Sequence, residues 1–137
     1  METNTEKKGF EVAVKFQVSF ADVAGLLASA WTGSAYWATV NKYIAPTAWL
    51  FESEPRAEEG KHYPNDYPLN PGGCVLIEDM EEEGKVYELD QAAIARGLAL
   101  MAEKYPEHWA DFVKEDYDST AGDVFLQLSL LGDVIYG

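Results

Sequence analysis

From residue 10 the chain alternates. Phe10, Val12, Val14, Phe16 and Val18 are separated by Glu11, Ala13, Lys15 and Gln17, the period of two that predicts a strand with one buried face. The period then changes to that of a helix. Ser19, with Asp22 three positions on, forms a weak capping box, and Val23, Leu26, Leu27, Ala30 and Trp31 follow at helical spacing up to Gly33. Positions 36–51 are rich in aromatic and β-branched residues and are interrupted at Pro46, a pattern that predicts two short strands. Residues 52–73, punctuated by Pro55, Pro64, Pro68 and Pro71, read as a long loop that is either functional or packed by its own aromatics.

Two apolar runs, 74–77 and 86–89, flank an acidic segment with Gly84 suited to its turn, so they predict a hairpin carrying acids at its tip. Asp90 can cap the next helix, whose stripe is Ile94, Leu98, Met101 and Tyr105. Pro106 ends that helix and can open another, with Trp109, Phe112 and Val113 inward and Glu107, Asp111 and Glu115 outward. The last run is ambiguous. Val124, Leu126, Leu128 and Leu130 alternate like a strand, whereas the Thr120–Asp123 capping pair and the leucine content favour a helix ending at Gly132. Helix is the reading adopted here, with residues 134–136 extended beyond it and a strand as the rival. The elements together predict an α+β fold, a small antiparallel sheet with helices packed on one face. A flexible tail, 1–9, would precede a single domain, 10–137. Its core is expected to include Val12, Val14, Phe16, Leu26, Leu98, Met101, Trp109 and Leu128.

Composition narrows the class. A length of 137 residues fits one domain, and 47% apolar with 13% aromatic residues is too much for a disordered chain. Ten bases against 24 acids give a net charge of −14, all of which falls in residues 52–137. That exceeds the magnitude of about 2–8 that solubility asks of a small domain. The acids concentrate at Glu78, Asp79, Glu81, Glu82 and Glu83, and again at Glu107, Asp111 and Glu115. These two groups are expected to share one face and to meet a basic protein or ribonucleoprotein surface. Direct nucleic-acid binding is disfavoured, because such a surface repels phosphates. No apolar run approaches the roughly 18 residues of a membrane helix, and the first residues show no signal-peptide pattern, so no membrane partner is expected.

Catalytic chemistry finds little support in the residue pattern. His62 and His108 stand apart, and His108 with Asp111 suggests no third metal ligand. Cys74 opens an apolar strand, where a thiol behaves as a small hydrophobe, and one cysteine allows no internal disulfide. Ser34 lacks the Gly-x-Ser-x-Gly frame of a nucleophile elbow. No catalytic residue, metal or cofactor is therefore expected. One other constellation could bind a ligand. In the region 36–67, Tyr36, Trp37, Tyr43, Trp49, Tyr63 and Tyr67, with Lys42, Arg56, Lys61 and His62 interleaved, would suit a pocket that stacks a nucleotide base and pairs its phosphates. Packing within the core is the plainer use of the same rings.

Five segments carry a resemblance. They are Gly33-Ser34-Ala35-Tyr36-Trp37, Pro71-Gly72-Gly73, Leu89-Asp90, MAEKYPEHWADF at 101–112 and AGDVFLQLSLLGDVIYG at 121–137. In these the chain resembles a family of small uncharacterised bacteriophage and prophage proteins; residues 38–69 lie outside the resemblance. The resemblance implies a viral gene product acting in the host bacterial cytoplasm and transfers no catalytic residue. With the acidic surface it leads to the expectation of a non-enzymatic, anti-CRISPR-like inhibitor of a defence or nucleic-acid-processing complex that acts as a nucleic-acid mimic. A nucleotide-sequestering binder and a phage housekeeping or structural protein are the alternatives, and self-association into a homo-oligomer is compatible with each.

Overall fold

The computed structural model describes residues 8–53 and 61–137. Among these residues four α-helices and three strands follow in the order α1 (Phe20–Gly33), β1 (Ala38–Ile44), β2 (Cys74–Asp79), β3 (Val86–Leu89), α2 (Gln91–Lys104), α3 (Pro106–Val113) and α4 (Ser119–Leu131). The strands form one antiparallel sheet in the order β1-β2-β3, and the fold is α+β. In the register of the sheet Ile77 lies between Val40 and Tyr87, and Glu78 between Thr39 and Val86. Val75, Ile77 and Leu89 belong to the core that the helices share. Leu76 and Glu78 alternate with them on the other face, beside the exposed Lys42, Val86 and Glu88.

Caps set the helix starts. The Ser19 hydroxyl accepts from the Asp22 amide at 3.1 Å, the Asp90 carboxylate from Ala93, and the Asp118 carboxylate from Thr120 and Ala121. Gly132, at φ 80°, closes α4 in the left-handed conformation that glycine adopts without strain. Helix α4 is the centre of the molecule. Residues 124–130 are buried on all sides, which is why this run lacks the polar stripe that would have marked it as a helix. Its approach to α1 is very close. A Cβ on Gly33 would lie 1.9 Å from the Ser119 carbonyl oxygen, and one on Gly122 would lie 2.5 Å from the Ala30 nitrogen.

The strand expected over 10–18 does not form. These residues pair with no strand, and Phe10, Val12 and Val14 are 101%, 75% and 81% exposed. Phe16 is also largely exposed, though its ring meets Trp109 edge-on at 5.8 Å. The alternation requires a cover on one face, and among the described residues Phe10, Val12 and Val14 are left exposed. Val12, Val14 and Phe16 are therefore not core residues. Leu26, Met101 and Leu128 are buried as expected, while Leu98 and Trp109 are half-buried against the core. Residues 1–7 of the expected N-terminal tail lie outside the described residues, and Lys8 and Gly9 are exposed.

Of the two strands expected over 36–51, only β1 forms, bulged between Val40 and Lys42. The chain beyond it is organised by buried polar side chains. Asn70 accepts from the Leu50 and Phe51 amides, both at 2.7 Å, and donates to the Phe51 and Asp66 carbonyls. Asp66 takes the Ser53 amide and hydroxyl. These two residues satisfy backbone groups that a strand ladder would otherwise have satisfied. A short 3-10 helix, Pro64–Leu69, links them.

Candidate functional site

The β2–β3 turn presents Glu81, Glu82 and Glu83, all exposed, flanked by the partly exposed apolar Met80 and Val86. The turn is rigidly built. The Asp79 amide donates to the Lys85 carbonyl at 2.9 Å, Lys85 donates back to Glu82 at 3.1 Å, and Gly84 takes φ 82°. Asp79 itself is a correction to the expected acidic face, being only 1% exposed. One of its carboxylate oxygens accepts from the Glu81 amide and the other from the Tyr136 hydroxyl, each at 2.8 Å. Its charge fixes the turn from inside instead of facing a partner. Glu78 is half-buried on the sheet's outer face.

Beneath the tip lies a second carboxylate that sequence reasoning missed. Asp123, in the second turn of α4, accepts from the Ser34 hydroxyl at 2.8 Å, the Tyr36 hydroxyl at 2.7 Å and the Trp37 indole at 2.8 Å. Gln127, one turn on and fully buried, adds a fourth donor at 3.1 Å. The Gln127 carbonyl accepts from the Ile135 and Tyr136 amides, and its nitrogen donates to the Tyr136 carbonyl, so the chain after α4 is held down by one side chain. The Trp37 and Tyr136 rings pack at 5.3 Å, and the Trp37 carbonyl accepts from the Met80 amide at 2.7 Å. This network joins α1, α4, residues 134–137 and the hairpin tip. The segments 33–37 and 121–137 meet here. Two polar residues four apart in a run of leucines were the available signal for it.

The phenols respond to these carboxylates. Tyr36 has a half-exposed ring, and desolvation with the hydrogen bond to Asp123 pushes its pKa up to about 12. Tyr136 is pushed up to about 12 first by its hydrogen bond to Asp79, then by desolvation and the charges of Asp79, Glu82 and Glu81. Both effects favour the neutral, proton-donating phenol.

The remaining expected site residues are dispersed. Glu107 and Glu115 are exposed on and just after α3, and Asp111 is half-buried. Phe112 and Glu115 line a cleft with Ala21 and Asp22, at the start of α1, whereas the tip docks on Trp37, past the end of α1. Glu115 of the second acidic group thus lies beside the start of α1, and the tip lies past its end. The residues expected to form a nucleotide pocket are brought together only in part. Trp37 is fully buried and offers no stacking face, while Tyr36 keeps a half-exposed ring whose hydroxyl is bound to Asp123. Lys42 is exposed on β1, Lys61 is exposed at the start of the segment leading to the 3-10 helix, and Arg56 lies outside the described residues. Three residues of the 36–67 region do come together, for His62 stacks on Trp49 at 3.5 Å and Tyr67 meets Trp49 edge-on. There the imidazole occupies one face of the Trp49 ring.

Cys74 is buried, and burial with the nearby Glu88 and Asp90 raises its thiol pKa, which keeps it protonated. Among the described residues no three His, Cys, Asp or Glu side chains are grouped to hold a metal, and no helix is long and apolar enough to cross a membrane. Comparison with protein-family models, curated proteins and solved structures finds no match to this chain.

Proposed function

We propose that this protein is a non-enzymatic, phage-borne inhibitor whose acidic hairpin tip docks on a basic surface of a bacterial defence or nucleic-acid-processing complex. The observation that carries the reading is the preorganised turn. Glu81, Glu82 and Glu83 project from a backbone fixed by Asp79, Gly84 and Tyr136, and among the described residues none of the three pairs with a base. Carboxylates held in place before contact lose little conformational freedom on binding, so their attraction for a cationic patch is less offset. Met80 and Val86 add apolar area at the edge of the charge, where a docking surface gains its desolvated contacts. The phage resemblance supplies a bacterial cytoplasmic setting, and the net charge of −14 supplies long-range steering.

The test is capture from a bacterial lysate on the immobilised protein, with elution by salt and by added double-stranded DNA. The reading expects a nucleic-acid-binding protein or ribonucleoprotein that is released by both. Screening lengths fall from about 10 Å at 0.1 M to about 3 Å at 1 M salt, so retention should drop steeply over that range. A captured partner that resists both salt and DNA would contradict it.

A further inference from the structure

The exposed segment before α1 has a property that its alternation alone does not reveal. Residues 10–16 read Phe-Glu-Val-Ala-Val-Lys-Phe, a palindrome about Ala13 in which the one mismatch replaces an acid by a base. Placed antiparallel to itself with Ala13 opposite Ala13, the segment sets Phe10 against Phe16, Glu11 against Lys15 and Val12 against Val14, each twice by symmetry. Every pair is complementary, and the parity of a strand puts all the Phe and Val side chains on one face and Glu11, Ala13 and Lys15 on the other. A two-fold axis through the centre generates this arrangement between identical chains, the usual geometry of a homodimer.

We propose that residues 10–16 form a two-stranded antiparallel ribbon with the same segment of a second copy of this chain. Charge complementarity argues for a second copy over a foreign partner, since the Glu11–Lys15 pairs satisfy one another only in the self-paired register. The single-chain structure leaves the segment in need of such a partner, with Phe10, Val12 and Val14 at 101%, 75% and 81% exposure. A two-stranded ribbon on its own is marginal in water and requires something against its apolar face. Here Phe16 already rests on Trp109, and Val113 on the same helix is partly exposed. In the ribbon, Phe10 of one copy comes beside Phe16 of the other and extends that aromatic contact at both ends. This inference is independent of the hairpin-tip reading.

Sedimentation equilibrium of the full chain and its variants decides it. The wild-type chain is expected to be a dimer that dissociates on dilution. Lys15→Glu sets two acid pairs face to face and should weaken the dimer by about tenfold or more. The swap Glu11→Lys/Lys15→Glu restores both pairs and should bring the affinity back to within about threefold of wild type. Val14→Asp should give a monomer with an unchanged circular dichroism spectrum, because the residue lies outside the core. A wild-type chain that stays monomeric at every concentration overturns the proposal. So does a dimer indifferent to Lys15→Glu, or one that the double swap fails to rescue.

Discussion

Gln127 is fully buried in the most apolar helix of the molecule, and both of its polar atoms are engaged. Replacing it with leucine keeps the volume but strands the Ile135 and Tyr136 amides and removes a donor from Asp123. A buried group left without its partner costs about 1–3 kcal/mol, so Gln127→Leu should lower unfolding free energy by about 2–4 kcal/mol in denaturant titration. Tyr36 and Tyr136 make a prediction in pH. Their folded pKa values of about 12 lie above the ordinary 10, so the folded state holds these protons more tightly than the unfolded state does. The stability they contribute is complete below pH 10 and is lost as pH climbs from about 10 to about 12. Tyr36→Phe/Tyr136→Phe should flatten that decline in a pH series of urea midpoints, while the raised Tyr43 and Tyr117 pKa values leave part of it in place.

Among the elements, those with local punctuation were legible in the sequence. Ser19 and Asp90 cap α1 and α2, Pro106 divides α2 from α3, and Gly132 ends α4, all where the residues indicated. The β2–β3 hairpin was equally plain from its two apolar runs and Gly84. What could not be read depended on partners remote in sequence. The alternation at 10–18 gives a strand's side-chain pattern but says nothing of who pairs with it. The stretch after β1 is shaped by Asn70 and Asp66, whose use as buried hubs has no local signature. The site behaved likewise, for the exposed tip followed from charge alone, whereas Asp123 and its donors come from segments about 90 residues apart. Helix rotation was nearly right, since Met101 is buried and Leu98 only half so. Leu126→Ala, at a fully buried position, should therefore cost about 2–5 kcal/mol by thermal or chemical unfolding, and Leu98→Ala about 1 kcal/mol. Equal losses at the two sites would mean that the α2 packing is described wrongly.

For the whole molecule, the acids of the hairpin tip lie past the end of α1 and Glu115 lies beside its start. A mimic of an extended phosphate backbone would use both, whereas a plug for a single basic site would use the tip. The rigid turn favours the second use, and it makes the two surfaces separable by mutation. The most direct measurement is the affinity of the captured partner for wild-type protein and for Glu81→Lys/Glu82→Lys/Glu83→Lys, compared at equal salt and with matched melting curves. The three side chains are exposed, so the fold should survive. Like charges opposed across an interface cost several kcal/mol, and binding should fall by about two or more decades. Affinity that persists through the reversal, and is lost instead when Trp49 and His62 are changed to alanine, would contradict the acidic-tip account and place recognition in the aromatic cluster.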